Sequence, residues 1–137
     1  MGKLICLDTT FLIDAWRHKA LPDAPSLRLM AENSGHELVV PSHAAGEFLE
    51  GGARVSAERL SQSLTFLRAF RVGDVTLDTA VVYARIVEGL RVGSSLAGRS
   101  KVDMWIAAWA VQHAAPLATR NLKHFVDIEG LEILRYL

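Results

Sequence analysis

The sequence predicts an α/β domain in which a short parallel sheet is covered by helices on both faces. Short apolar runs recur along the chain, among them Leu4-Ile5-Cys6-Leu7, Leu38-Val39-Val40 and Leu117-Ala118. Segments with helical spacing of apolar residues lie between them, and this alternation favours parallel strands joined by helical crossovers. The 137 residues hold neither an internal repeat nor a linker, so residues 1–137 form one domain.

Lys3 to Leu7 reads as a buried strand. Thr9 and Thr10 offer a cap for a helix through Phe11-Leu12-Ile13-Asp14-Ala15-Trp16, which Leu21-Pro22-Asp23 breaks. Ser26 to Asn33 is a second helix, and Glu37 to Pro41 a second strand. Ser42 caps a helix through Leu49, with Gly51-Gly52 as its stop. Ser56 opens a helix through Phe70 with Leu60, Leu64, Leu67 and Phe70 on one face, and Phe70-Arg71-Val72 is a candidate third strand. Thr76 or Asp78 begins a helix to about Leu90, with Ala80, Tyr83, Ala84 and Val87 inward. The Gly93–Gly98 segment has the composition of a flexible loop. Ser100 starts an apolar helix to about Ala114, and Pro116–Thr119 and Leu131–Leu134 are the last strands.

Composition excludes several classes. Half the residues are hydrophobic and 22% are charged, which is globular rather than disordered. No apolar run can span a bilayer, and the one near the N-terminus is too short for a secretory signal, so the expected location is the cytoplasm. Cys6 is the single cysteine; it forms no intrachain disulfide and suits a place inside a strand. The net charge of zero does not advertise nucleic-acid binding. Yet eleven of the fifteen basic residues are Arg, the side chain shaped for phosphate, although Arg also serves solvated helix faces.

Three acids stand in apolar surroundings: Asp8 after the first strand, Glu47 in Ala44-Ala45-Gly46-Glu47-Phe48-Leu49, and Asp103 in Val102-Asp103-Met104-Trp105-Ile106. Acids in such settings are costly unless paired, and a divalent cation can hold several together. In parallel sheets ligands sit beyond the carboxyl ends of strands, where Asp8 and Thr119-Arg120-Asn121 fall. Each acid has an ordinary alternative: Asp8 as a helix cap, Glu47 as a solvated residue, and Asp103 in a capping box with Ser100. Asn121 offers a neutral oxygen ligand. Thr119 and Ser42 are candidates to hydrogen-bond the ligating carboxylates. Arg99 and Lys101 flank the glycine loop, where they could grip a nucleic-acid backbone. That loop lacks the Gly-Lys-Thr ending of a P-loop. His43 and Glu47 share a helix face, but no second pair supports zinc.

Taken together, Leu7-Asp8-Thr9-Thr10-Phe11-Leu12-Ile13-Asp14, Pro41-Ser42 with Glu47-Phe48, Lys101-Val102-Asp103-Met104-Trp105-Ile106-Ala107-Ala108 and Ala118-Thr119-Arg120-Asn121-Leu122-Lys123-His124-Phe125 resemble the PIN domain. Within it the chain is similar to the VapC-type toxins of bacterial toxin–antitoxin pairs. The resemblance implies an endoribonuclease dependent on Mg²⁺ or Mn²⁺, with Asp8, Glu47 and Asp103 as catalytic, metal-binding acids. It implies Asn121 as a further ligand, Thr9, Ser42 and Thr119 as supporting residues, and Arg99, Lys101 and Arg120 as RNA contacts. Many members carry an acid where this chain has Asn121 or His124; Asp127 lies outside the matched spacing. A VapB-type antitoxin, a homodimer and an RNA substrate are also implied, and Trp16 and Phe66–Phe70 offer apolar surface for dimerisation. One-metal and two-metal mechanisms both remain open. The competing class is a non-catalytic PIN-like interaction module. A phosphatase of the receiver or haloacid type would want a second acid within two residues of Asp8, where Thr9-Thr10 stand.

Overall fold

A computed structural model describes residues 2–136. Strand β1 (Leu4–Leu7) lies at the centre of a five-stranded, fully parallel sheet. Its partners are β2 (Glu37–Pro41) and β4 (Leu117–Thr119), with β3 (Arg71–Gly73) and β5 (Ile133–Arg135) at the edges, in the order β3-β2-β1-β4-β5. Cys6 pairs with Val39 on one side and Leu117 on the other. Ile5, Cys6 and Leu7 are all buried although neighbouring strand residues point to opposite faces, so both faces are covered.

The chain builds outward from β1 through β2 to β3, then returns to the far side of β1 for β4 and β5. This reversal makes a switch point between β1 and β4, the place where open parallel sheets leave a crevice beyond their carboxyl ends. Asp8 follows β1 and Thr119 ends β4, so both stand at that crevice.

Helix α1 (Thr9–Arg17) buries Phe11, Leu12 and Ala15. Its cap is Asp8, whose side chain accepts from the Thr9 amide; Thr9 is already helical and does not cap. Pro25 opens α2 (Pro25–Glu32), where its missing N–H costs nothing. Helix α3 (Ser42–Val55) runs through the expected stop at Gly51-Gly52. Gly52 lies so close to Ser63 of α4 (Ala57–Leu67) that a Cβ would clash, so this glycine serves helix contact rather than termination. Ser42 is the first residue of α3, not its cap. Ser56 caps α4 by accepting from the Arg59 amide. On α4 only Leu67 of the leucine stripe is buried; Leu60 and Leu64 face solvent.

Strand β3 is one residue later than expected because Gly73 extends the ladder against Pro41. The Trp109 indole occupies the space a side chain at Gly73 would need. In α5 (Leu77–Val92) Thr79, Ile86 and Leu90 are buried, Tyr83 and Val87 pack half-buried against the core as expected, and Ala84 is exposed. Thr79 serves both the Thr76 capping box and Gln112 of α6. Helix α6 (Lys101–Gln112) is enclosed over most of its length, with Met104 and Ile106–Ala110 buried. A short α7 (Leu122–Phe125), not expected from the sequence, follows β4; β5 starts two residues later than expected. Among the described residues, no helix is long and apolar enough to cross a membrane.

Candidate active site

Asp8 is 2% exposed and sits in a cradle of donors. Its Oδ1 accepts from the Thr9 amide, and its Oδ2 accepts from the Thr10 and Thr119 hydroxyls, each at 2.8 Å. Thr119 in turn accepts from the Asn121 amide at 3.0 Å. These bonds fix the carboxylate, yet no cation lies against it among the described residues. Burial pushes its pKa up, the three donors pull it down, and the charge of Glu47 adds to the rise.

Asp103 occupies the third position of α6, where Ser100 accepts from its amide. The return bond of a capping box is not made, and the carboxylate turns toward His124, whose Nδ1 lies 3.2 Å from its Oδ2. Its pKa is pushed up to about 6, by burial first and by Asp8 next; His124 opposes the rise and Glu47 reinforces it. Glu47, on α3, is the most accessible of the three acids. Three carboxylates from a strand end, a mid-helix turn and a helix start therefore feel one another.

The remaining positions divide. Thr119 donates directly to Asp8. Thr9 contributes its amide only; its hydroxyl is buried without a partner. Thr10 supplies the hydroxyl instead, and nothing in the sequence separates it from Thr9. Ser42 does not touch a carboxylate: it donates to the Gly73 carbonyl at 2.9 Å and ties α3 to β3. Asn121 reaches the site through its backbone, while Asp127 lines a different cavity with Val82, Arg85 and Ile128.

Arg120, expected to contact RNA, is half-exposed and engaged by a carboxylate of the same chain. It forms two hydrogen bonds with Asp14, at 2.6 and 3.3 Å, and the Tyr136 hydroxyl joins the same carboxylate at 2.8 Å. Its charge is matched within the protein. Arg99 and Lys123, with Ser95, Ser100 and His124, line a cavity of about 440 Å³ that opens on Asp103. Arg99 also bonds the Ser95 and His124 carbonyls, pinning the glycine loop to α7. Lys101 is exposed outside that lining. Trp16 packs edge-on to Phe48 and Phe66 with Lys19 over its ring, so the aromatic surface expected there is largely used within the chain.

Among the described residues, no three His, Cys, Asp or Glu side chains are gathered tightly enough to hold an ion as they stand. The donor chemistry nevertheless fits a hard divalent cation. The donors are carboxylate oxygens, Asp8 is fixed and lacks a counter-charge, and Glu47 is exposed.

The PIN domain family model matches residues 5–131. No curated protein sequence matches at a significant level. Among solved structures, the chain is similar to DNA-bound VapBC from Salmonella typhimurium, with a TM-score of 0.84, 21% identity and 98% of each chain covered. It is similar to VapBC2 from Rickettsia felis bound to a DNA fragment from their promoter, with a TM-score of 0.81, 22% identity and 98% and 99% covered. A member of the VapBC family of toxin–antitoxin systems from Mycobacterium tuberculosis, VapBC-5, aligns with a TM-score of 0.66, 22% identity and 96% and 98% covered. With the family model spanning nearly the whole chain and the acids standing at the switch point of its sheet, this protein belongs to the PIN domain family.

Proposed function

We propose that this protein is the toxin of a toxin–antitoxin pair and acts as a metal-dependent endoribonuclease. The observation that carries the reading is the convergence of Asp8, Glu47 and Asp103, acids from three separate elements, near enough that Glu47 pushes up the pKa of Asp8 and both Asp8 and Glu47 push up that of Asp103. Repelling carboxylates held together in a protein signal a cation or a proton as part of the working state. Asp8, Asp103 and Glu47 would hold Mg²⁺ or Mn²⁺, with the Asn121 oxygen as a further donor. Such an ion would supply charge neutralisation at the phosphate and activation of water.

The chain's own residues do the positioning. Thr10, Thr119 and the Thr9 amide favour the ionised form of Asp8 against its burial and hold it in place. His124 holds Asp103 in place and adds positive charge when protonated. Arg99 and Lys123 furnish positive charge beside Asp103, suited to the strand's phosphates. The likeness to VapBC structures supports a VapB-type antitoxin as partner, and a homodimer is part of the same proposal.

The test is cleavage of a mixed RNA pool with Mg²⁺, Mn²⁺ or EDTA, by wild type, Asp8→Asn and Asp103→Asn. Metal-dependent cutting lost in both variants is the expected result. Equal cutting by all three would mean a contaminating nuclease. His124 and Asn121, where many members carry an acid, favour a second reading, a non-catalytic interaction module. Absence of both cutting and calorimetric Mg²⁺ binding would establish that one instead.

A further inference from the structure

Beside the acids lies a set of rings that the cleavage chemistry does not use. Tyr83 of α5 stacks on Trp105 of α6 with centroids 4.0 Å apart and planes 10° from parallel. His43 of α3 stacks on the same Trp105 at 4.9 Å and 9°. Of the three rings only His43 lines the neighbouring open groove, about 450 Å³ in volume, with Ser42, Gly46, Glu47, Glu50 and Val102. The groove adjoins the acids: Glu47 belongs to both, and Val102 precedes Asp103 in the chain. His43 Nδ1 is buried without a hydrogen-bond partner, so contact with Trp105 sets the ring's orientation.

The two flanks of the acid cluster differ in chemistry. The cavity opening on Asp103 carries Arg99 and Lys123, whereas the His43 groove carries Glu47 and Glu50 and no Lys or Arg. Glu50 has only a loose, exposed contact with Arg54 at 3.8 Å. Carboxylates there repel phosphate but do not oppose an uncharged planar ring. Single-stranded RNA offers such rings, and protein sites take them by stacking on aromatic side chains or His.

We propose that the His43 groove seats an unpaired nucleobase of the RNA strand next to the cut, stacked on the imidazole that Trp105 and Tyr83 back. The proposal rests on the nuclease reading and adds to it a requirement for an unstacked base at the cleavage site. His43 is then a positioning residue, acting on strand placement rather than on the reacting phosphate.

The test measures binding of a single-stranded RNA pool and of an abasic strand of equal length, with Mg²⁺. The proteins are Asp8→Asn, so that strands stay intact, and the same variant carrying His43→Ala or His43→Phe. Stacking of one base accounts for about 5- to 150-fold in affinity. His43→Ala should lose that factor on the pool and nothing on the abasic strand, while His43→Phe should retain most of it. Circular dichroism checks that both variants fold. Equal binding by His43→Ala, or equal loss on both strands, overturns the proposal. So does a folded His43→Phe as weak as His43→Ala, or a His43→Ala that loses a protein partner but keeps RNA. If wild type cuts RNA while the His43 pattern fails, only this inference falls. If wild type neither cuts nor binds RNA, the nuclease reading falls and takes it along.

Discussion

Replacing Asp103 with Asn should stabilise the metal-free protein at neutral pH, although it should abolish activity. The folded-state pKa of Asp103 is raised from 3.8 to about 6 by burial, then Asp8 and Glu47, against the pull of His124. Between those values the native state keeps a proton that the unfolded state has lost. Stability from this group is therefore full below about pH 4 and lost as pH rises through 6. The whole shift corresponds to roughly 3 kcal/mol at about 1.36 kcal/mol per unit. The Asp103 side chain is 13% exposed at the mouth of a cavity, so solvent screening reduces this to roughly 1–2 kcal/mol. For a domain of this length that is about 3–8 °C in melting temperature.

Thermal melts in EDTA across the range from pH 4 to 8 provide the assay. At the neutral end Asp103→Asn should melt above wild type by that margin, and the two curves should converge at the acid end. Added Mg²⁺ should raise wild type and leave the variant unmoved. A wild type that melts at or above the variant in neutral EDTA, with no convergence in acid, would refute the view that these acids repel one another in the empty site.

Two further substitutions separate tuning from scaffolding. Thr119→Val keeps the buried shape but removes a hydrogen bond to the Asp8 carboxylate, worth about 1.5–3 kcal/mol, so the Asp8 pKa should rise by the equivalent of that bond. The acid limb of the pH–rate profile of RNA cleavage should move up by the same amount; an unmoved limb would show that Thr119 does not hold Asp8 ionised. Arg120→Met leaves Asp14 with Tyr136 alone and should cost roughly 1–3 kcal/mol by urea denaturation, with RNA affinity unchanged. A severalfold loss of affinity in a folded variant would restore Arg120 to the RNA contacts.

What the sequence made legible were features set by local periodicity. The central strand, β2 and the apolar α6 announce themselves by runs such as Leu38-Val39-Val40, whose burial needs no knowledge of partners. The boundaries that slipped depend on contacts across the chain. Gly52 looks like a helix stop until Ser63 is brought against it, and Ala84 looks as inward as Tyr83 and Val87 until the packing of α5 leaves it exposed. The site follows the same division. Asp8 is identifiable because a strand ends there, but the hydroxyls that hold it come from adjacent Thr10 and distant Thr119, and only the parallel pairing of β1 with β4 unites them. The stack of His43, Trp105 and Tyr83 draws on three helices and leaves no local pattern to read.

On the proposed function, Asp8 and Asp14 differ as a metal-binding acid differs from a structural one. Both are buried, and they stand on the same stretch of chain, so burial and position do not distinguish them. Their partners do. Asp14 meets the Arg120 guanidinium and the Tyr136 hydroxyl, so its charge is balanced inside the fold and links α1 to the segments around β4 and β5. Asp8 meets two hydroxyls and an amide, which orient an anion without cancelling it, and it feels two further carboxylates. A fold under selection for stability alone would pair or remove such a charge. Oriented but unneutralised, Asp8 fits the cation that the proposed function supplies from outside the chain. Titration with Mg²⁺ should therefore stabilise the protein through Asp8 and leave the Asp14 cluster unaffected: Asp8→Asn should abolish the response and Arg120→Met should keep it. The opposite pattern would mean that the roles of the two acids are reversed.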